Sequence, residues 1–137
     1  MDTLTPAERS ERMSRVRDKG SRAERLVRSL VHRLGYRFRL HRAGLPGKPD
    51  LVFPSRRKVI FVHGCFWHRH PDPACALARL PKSRQEFWVP KLEGNRRRDL
   101  RVEDELNSLG WRSLVIWECQ LRDSTFLENE IRTFLDS

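Results

Sequence analysis

The sequence predicts an α/β fold, a single domain in which a mixed sheet carries helices on both faces as a three-layer α/β/α sandwich. Three observations predict it. An amphipathic helical pattern is followed by two short apolar runs separated by a turn, which reads as an antiparallel hairpin. A long helical stretch then leads to another near-continuous apolar run, and a strand–helix–strand crossover of this kind places its two strands parallel in one sheet. An amphipathic helix closes the chain. At 137 residues there is length for one domain with one sizeable core, and no repeat, low-complexity tract or linker divides it.

The elements follow in order. Thr5-Pro6-Ala7-Glu8 is a capping box with proline at the first helical position, opening a helix over about 5–17. That helix is rich in arginine, and only Met13 and Val16 make an apolar stripe, so residues 1–19 read as an arm rather than as core. Ser21-Arg22-Ala23-Glu24 repeats the capping pattern. Ala23, Leu26, Val27, Leu30, Val31 and Leu34 then keep helical spacing up to Gly35, which marks a core helix. The period shortens towards two over Tyr36–His41, a strand. Asp50–Phe53 and Lys58–His63 form the hairpin across Pro54-Ser55-Arg56-Arg57. Residues 71–83 read as loop. A helical region from about Arg84 to Leu109 is expected to break near Pro90, because proline cannot donate to the preceding turn. Trp111–Trp117 is the buried parallel strand, and Thr125–Leu135 the last helix, apolar at Phe126, Leu127, Ile131, Phe134 and Leu135.

Composition narrows the function. No run of about 18 apolar residues exists, which excludes a membrane-spanning helix, and the N-terminus lacks the order of a signal peptide. A cytoplasmic protein is the expectation. The formal net charge is +10, which favours a polyanionic partner, nucleic acid first, because neutralising phosphates releases counterions. A solvated basic surface would give the same number. The three cysteines are an odd count and close no disulfide framework, so Cys65, Cys75 and Cys119 read as buried thiols or as metal ligands.

The chemistry concentrates in Val59–Cys75, which runs from an apolar strand into a turn holding three of the five histidines and two of the cysteines. Antiparallel pairing brings Asp50, at the head of one hairpin strand, close to His63, at the end of the other. A carboxylate with main-chain carbonyls suits Mg²⁺, and His63 and His68 titrate near neutrality and can act as acid or base. Cys65, His70, Cys75 and Cys119 are ligands of the type that hold structural zinc, although the spacing is not that of a zinc finger. Phe66-Trp67 sits in a turn where two rings are hard to bury. Trp88 lies near Lys91 and Arg96-Arg97-Arg98, and such side chains stack on bases or wedge into a duplex step. Core packing competes with that reading, and it is the better one for Trp111 and Trp117.

These residues resemble the very-short-patch mismatch-repair endonucleases, the Vsr family. The matching segments are Leu45-Pro46-Gly47-Lys48-Pro49-Asp50, Phe61-Val62-His63-Gly64-Cys65-Phe66-Trp67-His68, Glu86-Phe87-Trp88, Asn95 with Asp99, and Gly110-Trp111-Arg112 through Val115-Ile116-Trp117-Glu118-Cys119. The resemblance spans about residues 8–122. It implies a restriction-endonuclease-like fold and an enzyme that nicks one DNA strand beside the thymine of a T:G mispair, initiating repair of deaminated 5-methylcytosine. It further implies that Asp50 and the main-chain carbonyl of Val62 bind Mg²⁺. His68 would be the base for the attacking water, Glu24 would orient that water, and His63 would stabilise phosphate charge or the leaving group. Zn²⁺ would be held by Cys65, His70, Cys75 and Cys119. Phe66, Trp67 and Trp88 would wedge beside the mismatch, with Lys91, Asn95 and Arg97 as further DNA contacts and the arm around Met13 across the opposite groove. A monomer on double-stranded DNA is expected, with mismatch-repair proteins as candidate partners and no membrane. Two departures stand out. Val62 replaces a threonine, which keeps the carbonyl and loses a hydroxyl, and four residues separate His70 from Cys75 where relatives usually have one. Two readings compete: a restriction-like or general mismatch nuclease of different specificity, and a non-catalytic mismatch-binding module.

Overall fold

A computed structural model describes residues 21–40 and 42–137. The expected helix over 5–17 and the arm around Met13 lie outside the described residues. Helix α1 (Arg22–Arg33) starts where the Ser21 hydroxyl accepts the Glu24 N–H at 3.2 Å, which satisfies one of the donors that a helix start leaves unpaired. Its buried face is Glu24, Val27, Leu30 and Val31. The expected stripe is thus shifted by part of a turn: Leu26 is 48% exposed, and a carboxylate takes an inward position.

The expected strand over 36–41 reduces to one bridge, in which Arg39 and Val52 exchange main-chain hydrogen bonds at 2.8 and 2.9 Å. Strand β1 is only three residues long (Leu51–Phe53), so there is little ladder to extend. Tyr36 and Phe38 nevertheless pack on the core, which explains their strand-like period. β1 pairs antiparallel with β2 (Lys58–His63), Leu51 opposite Ile60. β2 then pairs in parallel with β3 (Arg112–Trp117), from Lys58 opposite Arg112 to His63 opposite Trp117. β2 is therefore central, and its end, where His63 points into the site, is held by pairing with Trp117 of β3.

The crossover helix α2 (Gln85–Ser108) runs unbroken through Pro90, against the expected interruption. Proline forfeits one bond, to the Glu86 carbonyl, and Glu86 is exposed, where solvent can satisfy that oxygen. Helix α3 (Ser124–Asp136) is capped by Asp123, whose carboxylate accepts the Phe126 N–H at 3.1 Å.

Two cores confirm the three layers. On one face, α1 and α3 cover Leu51, Phe53, Ile60 and Ile116 with Val27, Leu30, Val31, Leu127, Ile131 and Leu135. On the other, Leu106 and Trp111 cover Val52, Val59 and Phe61. Ile60 is fully buried at the centre of the first, and truncating it to alanine should cost roughly 2–5 kcal/mol. Gly47 (φ +74°) lies so close to Val102 that a β-carbon would collide with that side chain, so glycine seats the loop before Asp50 against α2.

Candidate active site and metal cluster

The head of β1, the end of β2 and the first turn of α1 meet at one point. The Val62 N–H donates to Asp50 Oδ2 at 2.7 Å, and Glu24 is hydrogen-bonded to the same carboxyl. Burial pushes Asp50 up to about 7; the Val62 N–H opposes this and Glu24 reinforces it. Two carboxyls held together away from water need either a shared proton or a cation between them, and this pair of hard oxygen donors fits a divalent cation. Arg28 approaches Glu24 at 3.9 Å from the next turn of α1.

His63 and His68 stack face to face, centroids 3.8 Å apart and rings 5° from parallel. Burial, and then the charge of His68, bring His63 down to about 3, with Asp99 opposing. Its Nδ1 is buried without a hydrogen-bond partner among the described residues. His68 Nδ1 lies 2.7 Å from Asp99 Oδ2. His63, His68 and Asp99 have donors close enough to share a metal, but 2.7 Å is a hydrogen-bond separation, shorter than the edge between two ligands of one ion. Asp99 lies four residues beyond Asn95 on α2. The two form one face of that helix: Asn95 Nδ2 donates to the Trp67 carbonyl at 3.0 Å while Asp99 holds His68. The signal is the i, i+4 spacing of two polar residues that flank the run Arg96-Arg97-Arg98.

Below this lies a second constellation. One donor atom each from Cys65, His70, Cys75 and Cys119 falls within 4.8 Å of all the others, with Cys119 Sγ 3.5 Å from His70 Nδ1. A tetrahedral ion with Zn–S near 2.3 Å and Zn–N near 2.0 Å needs ligand edges of about 3.5–3.8 Å, so the residues fit a closed four-ligand metal site. The four residues between His70 and Cys75 still return Cys75 to the cluster. Burial pushes the Cys65 thiol up to about 12, so a cation is what would favour its thiolate. Trp117 joins the two constellations: it stacks on His70 at 4.3 Å and meets His63 edge-on at 5.3 Å. It is thus more than the core residue that the sequence suggested.

The aromatics form a cluster, with ring centroids 5.1 Å apart for Phe66–Trp67, 5.3 Å for Phe66–Trp88 and 5.9 Å for Trp67–Trp88. Phe66 and Trp67 are half-buried, whereas Trp88 is only 7% exposed and lies under them as support. Phe66 and Trp67, though not Trp88, line one open cleft of about 1380 Å³ with Glu24, Asp50, His63, His68 and Asp99, together with Lys91, Arg96 and Arg98. Arg97 is exposed but does not line it, and the amide of Asn95 is engaged by the chain itself.

A basic α/β sandwich whose cleft gathers paired carboxyls, a histidine–aspartate pair and half-buried aromatics has the equipment of a nucleic-acid hydrolase. Residues 1–74 match the sequence profile of the family described as DNA mismatch endonuclease Vsr. A type II nicking enzyme, V.XorIIP of Xanthomonas oryzae pv. oryzae, is 55% identical over 98% of this chain and 97% of its own length. The DNA mismatch endonuclease Vsr of Escherichia coli is 42% identical over 96% of this chain and 83% of its own. The type II nicking enzyme V.NmeAIP of Neisseria meningitidis is 35% identical over 95% and 91%. The chain belongs to the Vsr family of endonucleases. No helix among the described residues is long and apolar enough to cross a membrane.

Proposed function

We propose that this endonuclease nicks one strand of double-stranded DNA, on the 5′ side of the thymine in a T:G mismatch, with Mg²⁺ as catalytic ion and Zn²⁺ as structural ion. The observation that carries the reading is the convergence, in one cleft, of the Asp50–Glu24 pair with the His68–Asp99 pair beside Phe66 and Trp67.

Asp50 and the Val62 carbonyl would hold the Mg²⁺. Val62 turns its N–H to Asp50, and in an extended strand the carbonyl of the same residue faces the same side. Valine serves as well as threonine here. When bound, the ion supplies stabilisation of phosphate charge and a more acidic water. Glu24, against Asp50, orients that water. His68 takes the water proton: Asp99 fixes the proton of the neutral ring on Nδ1, which leaves Nε2 free to accept. His63 is held neutral by burial, so its contribution is a hydrogen bond to the phosphate or leaving oxygen and not a fixed positive charge.

Phe66 and Trp67 insert beside the mispair, whose base step is cheaper to unstack than a matched one. Trp88 supports them, Asn95 fixes the Trp67 backbone, and Lys91 and Arg98 neutralise phosphates. Zn²⁺ on Cys65, His70, Cys75 and Cys119 would tie the turn carrying Phe66, Trp67 and His68 to the chain beyond β3. A reducing cytoplasm suits those thiols. The test is cleavage of end-labelled duplexes bearing each mismatch in several flanking sequences, with Mg²⁺. A single nick confined to the thymine strand of T:G supports the reading. Comparable cleavage of all mismatches points to a general mismatch nuclease, and binding without cleavage to a non-catalytic module.

A further inference from the structure

The turn that carries the metal cluster also walls a second, smaller groove of about 400 Å³. Arg69, Pro71 and Arg96 line both this groove and the main cleft, so one opens into the other. Three guanidinium-bearing residues reach it from separate stretches of chain: Arg69 from the turn, Arg79 from the loop beyond Cys75, and Arg96 from α2.

Their pairing differs. Arg69 Nε lies 3.4 Å from Glu93 and is partly neutralised. Arg79 and Arg96 are exposed and have no ion pair among the described residues. The acidic residue in the lining is Asp72, which is exposed and whose Oδ1 accepts the Ala74 N–H at 2.9 Å. Three guanidinium groups, set against Asp72 in the lining and Glu93 beside Arg69, leave one positive charge in excess on an open groove and so a net attraction for anions there. Guanidinium forks match phosphate oxygens in pairs. Because the groove is continuous with the cleft, an anionic polymer lying in one would extend into the other.

We propose that this groove is a backbone-phosphate subsite for the duplex flanking the nicked bond, with Arg79 and Arg96 as positioning residues that set register and carry no chemistry. The proposal rests on the DNA-nicking reading of the main cleft and adds a contact to it.

The experiment measures Kd against salt for a T:G duplex with long flanks and for one truncated close to the mispair. It compares wild type, Arg79→Ala with Arg96→Ala, and a control pair, Arg101→Ala with Arg132→Ala, which removes two charges outside the groove. Each lost phosphate contact should lower the slope of log affinity against log salt by about one. The groove pair should therefore lose about two on the long duplex, the control clearly less, and neither should differ from wild type on the truncated duplex. KM should rise for the groove pair, with kcat at saturating duplex within about twofold of wild type, as expected of contacts that bind ground and transition states alike. A slope change no larger than the control's, or one that persists on the truncated duplex, overturns the subsite. Failure of wild type to nick any mismatch would instead remove the endonuclease reading, while the binding slopes would still decide the groove.

Discussion

Replacing Asp50 by asparagine should make the magnesium-free protein more stable, although it removes the residue assigned to the catalytic ion. In the fold, burial beside Glu24 raises this carboxyl from 3.8 to about 7. At about 1.4 kcal/mol per tenfold change in proton affinity, that displacement opposes the ionised, metal-free fold by roughly 4 kcal/mol at most, and Glu24 shares part of it. Asparagine keeps an acceptor for the Val62 N–H and removes the charge. The gain should be roughly 2–4 kcal/mol at pH 8, or about 10 °C in Tm. The sign follows from linkage. The folded pKa lies above the unfolded one, so the Asp50 contribution to stability is fully present below about pH 4 and is lost as pH rises through about 7. The advantage of the variant should accordingly be small at pH 4–5 and grow towards pH 8. Thermal melts of zinc-loaded protein without magnesium, taken across that range, read it directly. Added Mg²⁺ should then raise the Tm of wild type and leave the variant unmoved. A variant less stable than wild type at pH 8, or a difference independent of pH, would refute the picture of two crowded carboxyls awaiting a cation.

Other consequences can be measured alongside. Asp99→Asn should lower single-turnover nicking about 10²–10⁴-fold with duplex affinity little changed, since it disturbs the tautomer of His68 and no DNA contact. Trp67→Ala should reduce the preference for mismatched over matched duplex by about 1–3 kcal/mol in competition binding, while Trp88→Ala should act mainly through lowered Tm. Cys119→Ser should lose the tightly bound metal, read by elemental analysis, together with solubility. Full folding of that variant without metal would remove the staple.

Much of this fold is legible in residue periodicity. The hairpin, the parallel strand and the flanking helices are long apolar patterns, and their edges fall within a residue or two of those expected. Tyr36–Phe38 misleads because residues packed over a sheet edge alternate like a strand without pairing. Pro90 misleads because the cost of a proline depends on whether water can satisfy the carbonyl it abandons. In the site, His63, Cys65, His68, His70 and Cys75 lie in one short segment and group by proximity, Asp50 joins them through the hairpin pairing, and Cys119, far along the chain, is linked to them by its ligand chemistry alone. Asp99, Trp117 and the partnership of Asp50 with Glu24 were less accessible. Each is created by one element crossing another, and the local pattern around Asp99 reads only as a solvated basic helix. The bond from the Asn95 amide to the Trp67 carbonyl is of the same kind, made where α2 crosses the turn.

The division of the turn into chemistry, prying and anchoring is tested most directly by Asp50→Ala, assayed for binding and single-turnover nicking on one T:G duplex with saturating Mg²⁺. The account predicts that wild type nicks only the thymine strand, whereas the variant binds the mismatch with affinity close to wild type and leaves both strands intact. Nicking by the variant at the wild-type rate would contradict it.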